Sequence, residues 1–159
     1  MMGFDKQIFR TFNKDWALVT AGPIGNYNTM TISWGGLGTL WRLSVATVYV
    51  KPCRYTHQFL EKYDRFTLSF FTEEYREDLM ILGSKSGRDG DKVALTSLTP
   101  VALDGAVTFA QASQTILCQK IYRQDMDLSA IPQFAIDHHY QTEAPHTIFI
   151  GKVLNESEL

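Results

Sequence analysis

Side chains that could bind an anion occur at two places in this sequence. Arg54 and Thr56 follow Pro52, where a strand ends and a helix is predicted to begin. A guanidinium fork and a hydroxyl beside the unpaired N–H groups of a helix start are suited to a phosphate. The second place is the glycine-rich segment 83–92, whose donors are Ser84, Lys85, Ser86, Arg88 and Lys92. The two places together predict a phosphate site, and the competing interpretation is a helix start followed by a solvated loop.

The stretch from residue 28 to residue 41 could hold the rest of such a ligand. It begins with a predicted strand whose alternation separates two sets of side chains: Thr29, Thr31 and Ser33 on one face, Met30 and Ile32 on the other. Trp34 and Trp41 then flank a predicted flexible loop that contains Gly35, Gly36 and Gly38. A polar strand face, a flexible loop and an anion site together suggest a flat, phosphorylated ligand. The two tryptophans could cover it, although core or subunit packing is the better interpretation.

Other kinds of functional site are disfavoured by the spacing of the residues they need. The sequence contains no P-loop and no G-x-G-x-x-G pattern, and its four histidines match neither a hydrolase elbow nor an H-E-x-x-H helix. The adjacent His138 and His139 cannot both face one metal from a regular element, so no metal site is predicted. Cys53 and Cys118 lie far apart and predict reduced thiols. A formal net charge of −2 without a basic run argues against nucleic acid as a partner.

Short strands dominate the predicted secondary structure. The predicted strands are residues 16–21, 28–33, 45–50, 65–71, 107–111, 115–123 and 147–153, the last broken or bulged at Gly151. Helices are predicted over 54–63, between a cap at Thr72 and a stop at Gly83, and over 91–97. Because strands and helices do not alternate, this pattern favours a mainly β, antiparallel barrel with a few short peripheral helices. A length of 159 residues with 45% hydrophobic residues predicts a single domain over residues 1–159.

Several segments, taken in order, resemble the flavin reductase-like family. They are Asn28–Gly38 (NTMTISWGGLG), Lys51–Thr56 (KPCRYT), Phe66–Phe71 (FTLSFF), Gly83–Lys92 (GSKSGRDGDK) and the closing His146–Val153 (HTIFIGKV). The resemblance covers nearly the whole chain, and the flavoredoxin branch is the closest likeness. It implies an FMN-binding split β-barrel of Greek-key topology, assembled as a homodimer with FMN near the interface between the subunits.

The resemblance also assigns the cofactor, FMN, to particular residues. The strand residues that would line the isoalloxazine ring are Thr29, Met30, Thr31, Ile32, Ser33 and Trp34. The ribityl phosphate would be bound by Arg54, Tyr55 and Thr56 at the helix start and by Ser84, Lys85, Ser86 and Arg88 in the loop. His146 would contact the ring region. No catalytic acid or base is predicted, because the flavin itself carries the chemistry.

The resulting hypothesis is an FMN-dependent oxidoreductase that passes electrons from a reduced donor to an acceptor that the sequence does not specify. The donor would be NAD(P)H or a redox protein. The alternatives are a flavoredoxin-like electron carrier or flavin-binding protein without nicotinamide-dependent turnover, and a barrel that binds another small apolar ligand or serves as a dimeric scaffold. No apolar run approaches the ~20 residues of a membrane span, and the N-terminus has no apolar signal core. We therefore expect a cytoplasmic protein without membrane or nucleic-acid partners.

Overall fold

Most strands of the protein belong to a single antiparallel sheet. The computed structural model describes residues 7–155. Its strands are β1 (Ala17–Ala21), β2 (Asn28–Ile32), β3 (Gly35–Leu40), β4 (Leu43–Val50), β5 (Arg65–Phe70), β6 (Pro100–Leu103), β7 (Ala106–Phe109), β8 (Gln114–Asp125) and β9 (Thr147–Val153). Its helices are α1 (Gln7–Asn13), α2 (Tyr55–Lys62), α3 (Arg76–Ser84) and α4 (Gln133–His139). Seven strands hydrogen-bond in the order β2-β1-β5-β8-β9-β4-β3, and β6 pairs with β7 in a separate hairpin.

The strand order makes this sheet a barrel that is open along one side. Its two edge strands, β2 and β3, follow each other in the chain and are joined only by Ser33 and Trp34. So short a connection brings the two edges within about 10 Å of each other at that point, which requires the sheet to curl. The neighbours β1–β5, β5–β8 and β4–β9 are not consecutive and are joined by long connections of the Greek-key kind. The predicted mainly β, antiparallel fold with short peripheral helices is confirmed.

Two apolar clusters hold the sheet and its helices together. The barrel interior is filled by buried side chains from alternating strand positions, among them Phe66 on β5 and Phe149 on β9. The second cluster lies outside the barrel, where Leu79 and Leu82 of α3 pack against Leu18 of β1. Burying one apolar side chain of this size stabilises the folded state by about 1.5–3 kcal/mol. The second cluster therefore fixes α3 beside the edge of the sheet.

Helix α3 continues past the glycine that was predicted to end it. It begins at Arg76, after a 3-10 turn over Glu73–Tyr75 rather than directly at Thr72, and ends at Ser84. A Cβ atom at Gly83 would lie 3.2 Å from the Cβ of Thr31 on β2. The predicted stop at Gly83 is wrong, because glycine at this position lets the helix approach the strand. No helix within residues 7–155 is long and apolar enough to cross a bilayer.

The glycine-rich segment after the first strand pair is itself a strand. Residues Gly35–Leu40 form β3 and pair with β4 along their whole length. The connecting turn is Trp41-Arg42, and both residues have positive φ, 52° and 62°, as a two-residue type I′ hairpin requires. A Cβ atom at Gly35 would lie 2.8 Å from the ring of Phe12. The predicted flexible loop is wrong, since glycine here allows α1 to pack onto the strand.

The last strand, β9, runs unbroken through Gly151. The irregularity lies opposite it on β8, where the pairing register shifts between Lys120 and Tyr122. A Cβ atom at Gly151 would lie 2.6 Å from both the Cβ of Cys118 and the Cζ of Phe66. The predicted break at Gly151 is wrong, since the strand continues and the glycine permits close packing. A bulge, the other predicted irregularity, does occur in the pairing of Gly151, but its extra residue belongs to β8.

Candidate functional site

Two adjoining cavities lie along the edge strand β2. They are enclosed by α2, α3 and the segment that joins β8 to β9. The first cavity has a volume of about 350 Å³, and the second has a volume of about 250 Å³. Met30 and Arg54 line both of them. The two cavities therefore form one groove with a shared boundary.

The first cavity is lined by the basic side chains of Arg54, Lys85, Arg88 and Lys92, and we call it the cation-rich cavity. Further polar groups in its wall come from Tyr55, Thr56, Ser84 and Ser86. Arg54 is the N-cap residue of α2, and the first helical residues, Tyr55 and Thr56, whose N–H groups have no intrahelical acceptor, line the same cavity. The two predicted sets of phosphate donors thus meet in one place. Their chemistry fits a phosphate dianion.

Asn28, at the start of β2, contacts both sides of the cation-rich cavity: the start of α2 and the loop after α3, which belongs to segment 83–92. Its Nδ2 donates a hydrogen bond to Thr56 Oγ1 at 2.7 Å, which leaves the hydroxyl proton of Thr56 for a ligand. A Cβ atom at Gly87 would lie 2.1 Å from Asn28 Oδ1, so the loop can rest on this amide only with glycine at that position. Arg88 Nη1 donates to the carbonyl oxygen of Cys53 at 3.0 Å. These contacts hold the loop over the helix start.

Lys92 supports the same loop from its buried side. Its side chain is almost buried, with 6% exposed. Its Nζ donates to the carbonyl oxygens of Leu82 and Lys85, at 2.8 and 3.0 Å. Burial, and then the positive charge of Arg54, lowers the pKa of Lys92 to about 8. Lys92 therefore adds a positive charge to the cavity wall at neutral pH while it ties the loop to the end of α3.

The second cavity, which we call the strand-edge cavity, follows the free edge of β2. It is lined by Met30, Thr31, Ile32, Ser33, Trp34, Tyr49, Lys51, Arg54, His139 and His146. In the described sheet β2 pairs with β1 alone, so alternate backbone N–H and C=O groups at its other edge have no strand partner. Such groups can bond the polar edge of a flat heterocycle. The cavity thus offers hydrogen-bonding groups on one side and aromatic side chains on the other.

Two of the predicted ring-binding threonines have partners within the protein. Thr29 is buried, its hydroxyl donates to the carbonyl oxygen of Val19 at 3.2 Å, and it lies 2.7 Å from the hydroxyl of Thr20. It lines neither cavity, and its side chain packs against β1. That Thr29 contacts the flavin stays a prediction. Thr31 lines the strand-edge cavity but donates its hydroxyl proton to the carbonyl oxygen of Leu79 at 2.5 Å. Only its oxygen lone pairs and backbone are left for a ligand.

Trp34 forms one wall of the strand-edge cavity together with two histidines. Its ring centroid lies 5.0 Å from that of His139 and 5.2 Å from that of His146. The Nδ1 of His146 lies 2.7 Å from the hydroxyl of Tyr140. Burial, followed by the positive charge of Lys51, lowers the pKa of His146 from its usual 6.5 to about 4. His146 is therefore neutral at physiological pH.

We expect His146 to make the protein less stable as the pH falls from about 6.5 to about 4. Its pKa in the folded protein, about 4, lies below the usual 6.5, so the unfolded chain takes up the proton first. The free energy of unfolding should fall by about 2 to 3 kcal/mol across this interval. Urea denaturation at several pH values gives the free energy of unfolding of the native protein and of His146→Gln, whose side chain stays neutral. The difference between the two proteins is the contribution of His146. Parallel pH profiles of the two proteins would contradict the assignment.

Comparison with known families places the chain among flavin-dependent proteins. Residues 9–158 match the sequence model of the flavin reductase-like domain. The chain belongs to the flavin reductase-like family. This confirms the family that the ordered motifs predicted. An uncharacterized protein of Pyrococcus abyssi is 26% identical over 137 residues, which are 86% of this chain and 69% of that protein.

Solved structures with the same fold agree with this membership of the flavin reductase-like family. An FMN-binding protein from Thermus thermophilus, with 1-cyclohex-2-enone bound, has 20% identity and a TM-score of 0.69, covering 97% of this chain and 75% of that chain. Flavoredoxin of Desulfovibrio vulgaris (Miyazaki F) has 21% identity and a TM-score of 0.69, with the same coverage of 97% and 75%. A Shewanella frigidimarina structure described as having a split barrel domain has 13% identity and a TM-score of 0.70, covering 98% and 79%. The predicted split barrel is therefore confirmed.

In this flavin reductase-like chain, the groove brings together every predicted site residue except Thr29. Those that line it are Met30, Thr31, Ile32, Ser33, Trp34, Arg54, Tyr55, Thr56, Ser84, Lys85, Ser86, Arg88 and His146. That they contact a flavin stays a prediction. Lys92, one of the phosphate donors expected from the spacing, lines the groove as well. Groove residues that were not predicted are Asn28, Tyr49, Lys51, Cys53, Leu82, Gly83, Gly87, His139 and Glu143. Asn28 and Lys51 lie inside the family motifs and could have been found there, whereas no local signal marks His139 or Glu143.

Proposed function

We propose that the protein is an FMN-dependent oxidoreductase whose groove binds FMN. The observation that carries this proposal is the shared boundary of the two cavities, at Met30 and Arg54. A phosphate monoester suits the cation-rich cavity, and an isoalloxazine ring suits the edge of β2 and the aromatic wall beside it. Membership of the flavin reductase-like family supports this assignment, as does the shared fold of the FMN-binding protein from Thermus thermophilus.

The donors of the groove fit the two ends of FMN in different ways. Arg54 and Thr56 would hold the phosphate at the start of α2, with the loop over Gly87 closing above it. Ser33 and the free backbone groups of β2 would orient the ring, while Trp34 and His146 would limit the access of water to it. When bound, FMN supplies electron-transfer chemistry. The protein then needs only to bind the flavin, orient it and leave one side open to an electron donor.

Absorption spectroscopy tests this proposal directly. After incubation with FMN and removal of unbound ligand, the protein should show the spectrum of oxidised flavin. Anaerobic addition of NADH or NADPH to the loaded protein should then bleach that spectrum, and an acceptor should restore it. Failure to bind FMN in a titration would overturn the proposal.

An FMN-binding electron carrier is the second candidate. The structural similarity to flavoredoxin favours it, and so does the lack of a recognisable nicotinamide-binding motif in the sequence. A carrier should bind FMN, remain oxidised with either nicotinamide nucleotide, and accept electrons from a chemically reduced redox protein. Rapid bleaching by NADH or NADPH would exclude the carrier function in favour of the reductase.

We further propose that two copies of the chain assemble next to the groove. A depression of about 510 Å³ lies between α1 and β3, and Trp34 lines both this depression and the strand-edge cavity. Ile8, Phe9 and Leu37 are exposed along it. Its occupant would be a second copy, because the patch is continuous with the groove and would place the partner beside the ring, as the resemblance to the family implies.

Sedimentation velocity of two charge variants tests this dimer. Phe9, which is 74% exposed, becomes glutamate in the test variant, and Phe134 on α4, which is 68% exposed, becomes glutamate in the control. We expect the native protein and Phe134→Glu to sediment as dimers. Phe9→Glu should sediment as a monomer, because burying an unpaired carboxylate in an apolar interface is costly. A native protein that sediments as a monomer would contradict the proposed assembly.

A further inference from the structure

The segment between β8 and β9 carries a carboxylate to the cation-rich cavity. Within residues 7–155, Glu143 is the only acidic side chain that lines this cavity. Its Oε2 lies 2.5 Å from the Nζ of Lys51 at the end of β4, and the same Nζ donates to the carbonyl oxygen of His139 at 2.9 Å. On its other side, Oε1 lies 3.7 Å from the Sγ of Cys53. Glu143 is therefore held at the groove by two groups of the connection between β4 and α2.

The carboxylate of Glu143 is charged at physiological pH. The hydrogen bond and positive charge of Lys51 lower its pKa, with smaller contributions from the Cys53 thiol and the charge of Arg54. About half of the side chain is exposed, so solvent screens this charge in part without cancelling it. The cavity that collects four basic side chains thus also contains a fixed negative charge. An anion bound by the four basic side chains would share its cavity with that carboxylate.

We infer that Glu143 is a specificity-determining residue that weakens the binding of the ligand's phosphate and so keeps FMN exchangeable, an inference that rests on the flavin-binding function proposed above. A phosphate monoester carries a charge of about −1.5 to −2 near neutral pH, so the carboxylate repels it. Riboflavin has the same ring and ribityl chain without the phosphate, and it experiences no such repulsion. Glu143 therefore lowers the affinity for FMN and leaves the affinity for riboflavin unchanged.

Titration of three proteins with both flavins tests this inference. In Glu143→Gln the amide oxygen can still accept a hydrogen bond from Lys51, so the segment stays tethered while the charge is removed. Asp137→Asn is the matched control, since Asp137 lies in α4 of the same segment, bonds to Gln133 and lines neither cavity. We expect Glu143→Gln to bind FMN about three- to tenfold more tightly than the native protein does, mainly through slower dissociation. Its affinity for riboflavin should not change, and Asp137→Asn should match the native protein with both ligands.

Three results would count against a role of Glu143 in phosphate discrimination. An unchanged or weaker affinity of Glu143→Gln for FMN would overturn the inference alone. An equal gain for FMN and riboflavin would also overturn it, because the residue would then act on the ring or on the segment and not on the phosphate. If the native protein bound neither flavin, the proposed function would fail first, and the role of Glu143 would fail with it.

Discussion

Replacing Gly151 with alanine should lower the free energy of unfolding by about 3 kcal/mol, the upper end of the usual range for overpacking a core. Gly151 lies on β9, at the centre of the sheet. The added Cβ would lie 2.6 Å from the Cβ of Cys118 on β8 and 2.6 Å from the Cζ of Phe66 on β5. The first atom is fixed by its backbone, and the second belongs to a fully buried ring. Neither can move without shifting a strand, so the strain has no local release.

Glycines on β3 provide the matched control for this substitution. Nothing lies within 4 Å of a Cβ atom added at Gly36 or Gly38. Gly36→Ala and Gly38→Ala should therefore change stability by no more than about 0.5 kcal/mol. Urea denaturation of the three variants, followed by far-ultraviolet circular dichroism, gives the comparison. An unfolding midpoint for Gly151→Ala that equals that of Gly36→Ala would show that β8 and β5 can yield at this point.

The strands that position the groove were predictable because each combines β-forming residues with a clear burial pattern. The predicted strand 45–50 lies within β4, and 147–153 matches β9. Residues 28–33 include the whole of β2. The hairpin of β6 and β7 was predicted only in part, as residues 107–111, because the four residues of β6 are too few and too exposed to show periodicity.

Glycine was the main source of error in predicting the elements. The sequence pattern predicts a loop at Gly35, a helix stop at Gly83 and a break or bulge at Gly151, yet each glycine lies within a regular element. In all three cases another part of the protein approaches the backbone closely enough to exclude a Cβ atom. Glycine serves both for unusual backbone angles and for close approach. A single sequence does not distinguish the two uses, because the approaching group comes from a distant segment.

Contacts between distant segments, which a single sequence does not show, also explain why only part of the candidate site was predictable. Arg54 and Thr56 were predictable because their donors stand together at the start of a helix. Glu143, by contrast, lines the cavity in contact with Lys51 and Cys53, which lie far away in the sequence. The hydroxyl of Thr29 likewise bonds to the carbonyl oxygen of Val19 within the sheet, a long-range contact that the strand alternation does not reveal. Local residue types thus predicted the donors, and long-range contacts decided which of them face the groove.

Replacing Arg54 with alanine should weaken FMN binding by about 10- to 100-fold, the loss expected for a charge-assisted hydrogen-bonding partner of a phosphate. Arg54 lines both cavities, and its side chain is exposed and makes no capping hydrogen bond to α2. The fold should therefore remain intact, with an unchanged thermal unfolding temperature. Arg54→Lys should recover part of the affinity, because it restores the charge without the planar fork. Fluorescence titration with FMN measures all three proteins.

Two controls separate the phosphate contact from general effects of charge: the binding of riboflavin, and the substitution of an arginine that lies outside the groove. Riboflavin should bind the native protein and Arg54→Ala with affinities within about threefold of each other, because it lacks the group that the guanidinium contacts. Arg65→Ala removes the same charge at the start of β5, where the side chain pairs with Asp104 and lies outside both cavities. Its affinity for FMN should match that of the native protein. An equal loss for FMN and riboflavin in Arg54→Ala would place Arg54 at the ring and not at the phosphate, and the phosphate would then depend on the other basic side chains of the cation-rich cavity.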